Sequence, residues 1–353
     1  MTDLDSNAGR DWADSLLARN IRPDVTHFLI SPAAASAVNK EPEEKAADRP
    51  RILEGVRFAS LSVPGPIGFR PEHLLEILSA KSSTVISKLT HAIGVLQEKA
   101  FAGKLSDECR WTLGSRLVFW KKKKGPAPRP IRIGELWRRM FAKKLTHSTR
   151  RKVQQVCLNA RQFGVAVPGG TDAVIHFRKC FEEAFKRSGS EALVILDLDL
   201  KNAFPSFEWD AILSAVFEFL PEVLPWTSWC QKKPTQVQLP GGDFFDTDRG
   251  AAQGDPLGSA YCALILIGVI RRVREKMQVL ARLQNLPDPI LMDIWYMDDG
   301  QIFCSPEVAD PFLRMLDAEL ELVGATRGHG ADVKSAARLV GPSEKCAAVE
   351  TSW

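Results

Sequence analysis

Three aspartates carry most of the chemical promise of this 353-residue sequence: Asp199, at the end of the apolar run "LVILDLDL", and Asp298 with Asp299, side by side in "YMDD". Adjacent carboxylates repel, so their placement needs a reason. One reason is turn chemistry, because Asp and Gly suit a two-residue hairpin and apolar runs flank this corner. The other is a divalent cation, which turns the repulsion into attraction. Asp197 and Asp199 are two apart on a strand and so point to one face. A carboxylate ending an apolar strand is costly unless it is paired, hydrogen-bonded or metal-bound. Two metal ions about 3.5–4 Å apart serve nucleotidyl transfer by clamping the attacking and leaving oxygens. Magnesium takes few protein carboxylates, since phosphates and water complete its shell, and one strand-end Asp with a hairpin pair meets that need.

Neighbouring residues fit the same chemistry, each with a plainer alternative. In "RGAAQGDPLG", Gly254 would let the backbone approach a nucleotide closely, or would simply open a helix. Phe204 follows Asp199 by five residues, where a ring could lie beneath a sugar and exclude a 2′-hydroxyl, or could be a core aromatic. Net charge is only +4, yet Arg116 to Lys152 holds fourteen Lys or Arg against one acid, Glu135. Its charge of +13 is mixed with Trp120, Ile131, Ile133, Trp137 and Phe141, so the segment reads as folded and able to bind phosphates.

These residues need elements to hold them. "ALVILDLDL" (Ala192 to Leu200) reads as a central strand, and "DIWYMDDGQIFC" as a hairpin. Helices are expected from Pro71, over Ser83 to Ala102, from Leu136 into the 150s, and over Thr171 to Lys186. Further helices are expected after Phe204 up to Pro221, from Gln253 through Met277, and from about Glu307 to Val323. Short strands are expected at Arg116–Trp120, Pro130–Ile133 and Arg338–Gly341, and 235 to 251 reads as extended around a Gly241-Gly242 turn. The fold class is therefore α+β, with a small antiparallel sheet of the split-βαβ, ferredoxin-like kind backed by helices. Residues 1–60, Ala/Pro/charge-rich, read as a mobile segment. The polar start is read as lacking a secretory signal. The longest apolar run, Leu257 to Ile270, is too short to span a bilayer. Seven scattered cysteines argue against a zinc site or disulfide framework, so the expectation is a soluble, reducing, intracellular setting.

Taken in order, the motifs resemble the reverse transcriptases of non-LTR retrotransposons over roughly Val63 to Gly341. "VPGPIGFRPEHLLEIL" looks like the motif preceding the fingers, "FWKKKKGPAPRPIRI" is similar to the fingers strands, and "RQFGVAVPGGTDAVIHF" resembles the next fingers block. "LDLDLKNAFPSF" is similar to palm motif A, "RGAAQGDPLGSAY" to motif B, "YMDD" to motif C, and "ELELVGATRGHGADVKSAARLVG" to motif D. The resemblance implies a right-hand polymerase with fingers-like residues 61–190, a palm over 191–345 and a tail at 346–353, no thumb being evident. It implies that Asp199, Asp298 and Asp299, with the Leu200 carbonyl, hold two Mg²⁺ ions, for which Mn²⁺ could substitute. Phe204 would select deoxynucleotides, Gln253 and Gly254 would contact nucleotide and template, Lys122 and Arg129 would grip the triphosphate, and Lys334 would protonate departing pyrophosphate. The implied partners are an RNA template, a DNA or RNA primer and dNTPs, with no membrane. Asp197 has no family role and reads as structural. Pro205 and the long Gly324 to Lys334 spacing depart from the family pattern.

The leading expectation is thus RNA-directed DNA polymerase activity of retroelement origin. An RNA-directed RNA polymerase shares the palm but usually has Gly-Asp-Asp at the hairpin and a polar gate. A catalytically impaired fragment that only binds nucleic acid is the alternative from another class.

Overall fold

The computed structural model describes residues 56–59, 61–79, 82–120, 129–188, 192–283, 290–328 and 335–341. The N-terminal stretch up to 55, Lys122, Lys334 and the 346–353 tail lie outside the described residues. In chain order the elements are α1 (Pro71–Leu78), α2 (Ser83–Phe101), β1 (Ser115–Trp120), β2 (Arg129–Gly134), α3 (Leu136–Asn159) and α4 (Gly170–Ser188). There follow β3 (Leu193–Leu198), α5 (Ala203–Ser206), α6 (Trp209–Phe219), α7 (Leu224–Gln231), β4 (Thr235–Gln238) and β5 (Phe244–Thr247). The last are α8 (Gly258–Leu283), β6 (Ile290–Tyr296), β7 (Asp299–Cys304), α9 (Pro306–Glu321) and β8 (Ala336–Val340).

The chain divides into two compact units, each discontinuous in sequence. One combines 153–203 with the segment from 263 onward, and the other combines the segment ending at 152 with 204–262. Residues 153–190 belong to the unit of β3, and 204–262 to the unit of β1 and β2.

The β3 unit holds a four-stranded sheet of order β6-β7-β3-β8 in which every neighbouring pair is antiparallel. β3 and β6 therefore run parallel with β7 between them, the split-βαβ arrangement. β3 is buried along nearly its whole length, which explains its unbroken apolar run. On one face, Phe177, Phe181 and Phe185 of α4 pack with Leu193, Ile195, Ile294 and Phe303. The Phe181 and Phe303 rings are 4.8 Å apart. On the other face α9 lies against β3 through its apolar stripe of Val308, Phe312, Leu316 and Leu320. Glu319, almost wholly buried on α9, accepts from Arg272 Nε and Lys276 Nζ of α8, both at 2.5 Å, so two cations offset its desolvation.

The other unit holds a second four-stranded sheet, β2-β1-β4-β5. The β1–β2 and β4–β5 pairs are antiparallel, while β1 and β4 pair in parallel at Ser115↔Val237 and Arg116↔Gln238. The β4–β5 turn uses Gly242 at φ +97°, as the Gly-Gly pair anticipates. Beside this sheet α3 anchors the "VPGPIGF" loop: fully buried Glu135 accepts the Ile67 N–H at 2.8 Å, and Arg139 Nη1 donates to the Val63 carbonyl at 2.7 Å. A methyl on Gly65 would lie 2.8 Å from the Glu135 Cα, so only glycine permits this approach.

One expected boundary moves. The helix expected from Gln253 begins at Gly258, because Gly254 sits at φ +115° and cannot be helical. The Asp255 carboxylate instead accepts the Leu257 N–H at 3.0 Å and pairs with Arg138 at 2.8 Å.

Candidate active site

The β6–β7 hairpin reverses in two residues, Met297 and Asp298, with Tyr296 paired to Asp299. The turn residues are Met-Asp, not the Asp-Gly pair that turn chemistry favours. Met297 takes φ +58°, while Asp298 does not enter the positive region. That pattern belongs to the hairpin turn whose first central residue is ordinarily glycine. Methionine there costs about 1–2 kcal/mol, so the surroundings must impose the geometry.

Segment 161–164 imposes it. Gln162, 1% exposed, brackets Met297: its Oε1 accepts the Met297 N–H at 2.7 Å and its Nε2 donates to the Met297 carbonyl at 2.9 Å. The same Oε1 accepts the Gly164 N–H at 3.1 Å. The segment runs along β6 as an added strand, with Phe163 N–H donating to the Trp295 carbonyl at 2.7 Å and Trp295 N–H to the Arg161 carbonyl at 2.9 Å. A Cβ on Gly164 would lie 2.3 Å from the Met297 nitrogen, so the approach demands glycine.

Asp293, 1% exposed on β6, fastens this segment in turn. It accepts from Arg161 Nη1 at 2.9 Å, Arg274 Nε at 3.1 Å and Trp295 Nε1 at 3.0 Å, and also from Arg274 Nη2. Burial pushes its carboxyl up, but Arg274 and Arg161 outweigh burial and hold it below the usual aspartate value of 3.8. Sequence reasoning passed over both Gln162 and Asp293. The visible signal was a charged residue at an inward position of the apolar run "ILMDIWY".

Strand register places the candidate carboxylates at adjoining strand ends. β3 and β7 pair from Val194↔Cys304 to Leu198↔Gly300, so Asp199 follows the last residue of β3 and Asp299 is the first residue of β7. Asp298 lies in the adjoining β6–β7 turn. The backbone at Asp199 is fixed: its N–H donates to Ser335 Oγ at 3.1 Å and its carbonyl accepts the Gly328 N–H at 3.2 Å. Lys201 N–H donates to the Thr326 carbonyl at 2.9 Å, so the Leu200 carbonyl takes no part in these bonds. Ser335 directly follows Lys334 in the sequence. Asp197 is structural, chelated by Arg178 at 2.9 and 3.2 Å and by Gln301 Nε2 at 2.9 Å.

A hard divalent cation suits this donor set of three carboxylates, all oxygen ligands. Among the described residues, however, no three His, Cys, Asp or Glu side chains converge as a ready-made metal site. The donor chemistry fits magnesium, which takes only one or two protein carboxylates beside substrate phosphates.

The remaining candidates lie in the other unit. Phe204, on α5, is half-buried, and its carbonyl accepts the Ala251 N–H at 2.7 Å. Gln253 and Gly254 dock on β2: the Gln253 carbonyl accepts the Arg132 N–H at 2.8 Å, and a Cβ on Gly254 would sit 2.6 Å from the Arg132 carbonyl oxygen. The demand for glycine at 254 is thus met inside the protein. Arg129 starts β2, paired with Trp120.

The basic segment is only partly a surface. Arg138 is tied to Asp255, and Arg139 lies 4.9 Å over the Phe58 ring, and Lys152 pairs with Glu222 at 2.6 Å. Desolvation, with Arg138 nearby and only partial relief from Asp255, brings the half-buried Arg132 guanidinium down to about 10. His147, Arg150 and Arg151 of α3 stay exposed.

No protein-family model matches the sequence, and no curated protein matches it. Among solved structures, 72% of the chain is similar to telomerase from Candida albicans in complex with a fragment of telomeric RNA, with TM-score 0.49 and 11% identity. It is likewise similar, over 72% of its length, to apo telomerase from Candida tropicalis truncated from its C-terminal domain, with TM-score 0.44 and 15% identity. The match spans about half of those chains, 46% and 56% respectively. Among the described residues, no helix is long and apolar enough to cross a membrane.

Proposed function

We propose that this chain is an RNA-directed DNA polymerase domain of retroelement origin. It would extend a DNA or RNA primer on an RNA template with dNTPs. One observation supports the reading: an antiparallel split-βαβ sheet in which Asp199 follows the end of β3, Asp299 begins the neighbouring β7, and Asp298 lies in the turn between β6 and β7. Asp199, Asp298 and Asp299 would hold Mg²⁺, or Mn²⁺ in its place. When bound, the metal supplies Lewis-acid stabilisation of the transferring phosphoryl group and lowers the pKa of the primer 3′-hydroxyl.

The chain's own groups would do the positioning. Phe204 would exclude the ribose 2′-hydroxyl, Gln253 and Gly254 would meet nucleotide and template, and Arg129 with Lys122 would bind the triphosphate. Lys334 would release a proton from Nζ to departing pyrophosphate. The fixed backbone of Asp199 and the bracketed Met297 corner keep the carboxylates in place, so little reorganisation is needed at reaction.

Primer extension tests the proposal directly. With RNA template, annealed primer, Mg²⁺ and dNTPs, the full chain extends the primer, and Asp298→Asn abolishes extension while leaving the urea midpoint unchanged. A second reading is a nucleic-acid-binding protein without catalysis, for which the exposed Arg150 and Arg151 of α3 would supply phosphate contacts. A folded preparation that binds RNA in a salt-dependent way but never extends a primer would establish that second reading.

A further inference from the structure

We infer that Gln162 is a positioning residue for the carboxylate corner: it holds Met297 in the left-handed conformation and so aims Asp298 and Asp299. The inference rests on the polymerase reading for its catalytic consequence, but its geometric content stands apart from it.

Three observations converge. First, Met297 adopts φ +58°, a conformation that L side chains with a Cβ avoid. Second, a buried side-chain amide satisfies both polar backbone groups of that one residue, accepting from its N–H at 2.7 Å and donating to its carbonyl at 2.9 Å. A carboxylate could not make both bonds, and an aliphatic side chain could make neither. Third, Gln162 is itself held from both sides. Its Oε1 accepts the Gly164 N–H at 3.1 Å, and its neighbour Arg161 is tied to buried Asp293 at 2.9 Å.

The load path runs from the Asp293 ion cluster through Arg161 to Gln162 and on to Met297. The next two residues are the candidate metal carboxylates. A turn favouring glycine would otherwise relax toward an ordinary negative φ, swinging Asp298 away from its place beside Asp299. Holding Met297 by two hydrogen bonds offsets the strain and removes that freedom.

A glutamine serving only the stability of segment 161–164 would matter equally whatever residue occupied position 297. A glutamine that holds the strained corner would not, because glycine at 297 adopts positive φ without strain. The test compares Gln162→Met in the wild-type background and in the Met297→Gly background, using the full chain. Three readouts apply: amide hydrogen exchange at 298–299, Mn²⁺ affinity by electron paramagnetic resonance, and kcat for primer extension.

In the wild-type background, Gln162→Met is expected to speed exchange at 298–299 about tenfold, and to weaken Mn²⁺ binding and kcat by a similar factor. In the Met297→Gly background, the same substitution is expected to change each by about threefold or less. Should Gln162→Met fail to fold, Gln162→Glu keeps both acceptor bonds and loses only the donor to the Met297 carbonyl, and its effects are expected to lie between. An equal loss in both backgrounds overturns the inference, as does unchanged exchange at 298–299. If the wild-type chain never extends a primer, the polymerase reading falls, and the exchange comparison alone still decides what Gln162 does.

Discussion

Removing the Asp293 carboxylate should be among the costliest single changes this fold can suffer. Asp293 is 1% exposed, and the guanidiniums of Arg161 and Arg274 that it neutralises are themselves mostly buried. Asp293→Ala removes the carboxylate that Arg161, Arg274 and the Trp295 indole N–H share, in a place water hardly reaches. Breaking a buried pair from one side costs about 3–5 kcal/mol, a large share of a domain's typical 5–15 kcal/mol. The exposed pair Arg314–Asp310 on α9 supplies the control: Asp310→Ala should leave the urea midpoint nearly unchanged. Urea unfolding at pH 7, followed by tryptophan fluorescence, measures both. pH supplies a second arm. Because the folded carboxyl lies below its ordinary value of 3.8, its stabilisation is complete above that value and is lost as pH falls through the folded pKa. The acid limb of the stability profile below about pH 3.8 should therefore be shallower in Asp293→Ala. If Asp293→Ala costs no more than Asp310→Ala, burial does not govern this cluster and the anchoring role assigned to segment 161–164 fails.

Two further outcomes can be checked on the same preparation. Gly254→Ala adds a methyl 2.6 Å from the Arg132 carbonyl oxygen at φ +115°, so it should destabilise by about 2–4 kcal/mol. Gly241→Ala, whose Cβ would meet nothing within 4 Å, should be nearly neutral in the same urea measurement. Burial raises the Glu135 carboxyl above its usual 4.5, against the Ile67 N–H and the nearby arginines. Its ionisation therefore opposes folding, and wild-type stability should decline as pH rises from 4.5 through the raised value. Glu135→Gln keeps an acceptor for the Ile67 N–H and should flatten that decline; an unchanged profile would place the titrating group elsewhere.

Local sequence wrote much of this protein plainly. The unbroken apolar run of β3 announces a strand covered on both faces, and "YMDD" between apolar flanks announces a two-residue hairpin. The three aspartates stand out because acids at strand ends and turns are visible without knowing any partner. Their roles in binding metal belong to the proposal and not to the letters. Only the tertiary structure decided the rest, because the deciding partners lie far apart in the chain. Gln162 meets Met297 across 135 residues, Arg161 meets Asp293 across 132, and Arg138 meets Asp255 across 117. The parallel pairing of β1 with β4 likewise joins Ser115 to Val237. Polar residues are common in any sequence, and nothing local marks one as the partner of another. Burial makes the difference: it raises the cost of leaving a charge or an amide unmatched until one arrangement prevails. The sequence by itself determined which residues could do chemistry, and long-range burial decided how firmly the corner that carries them is held.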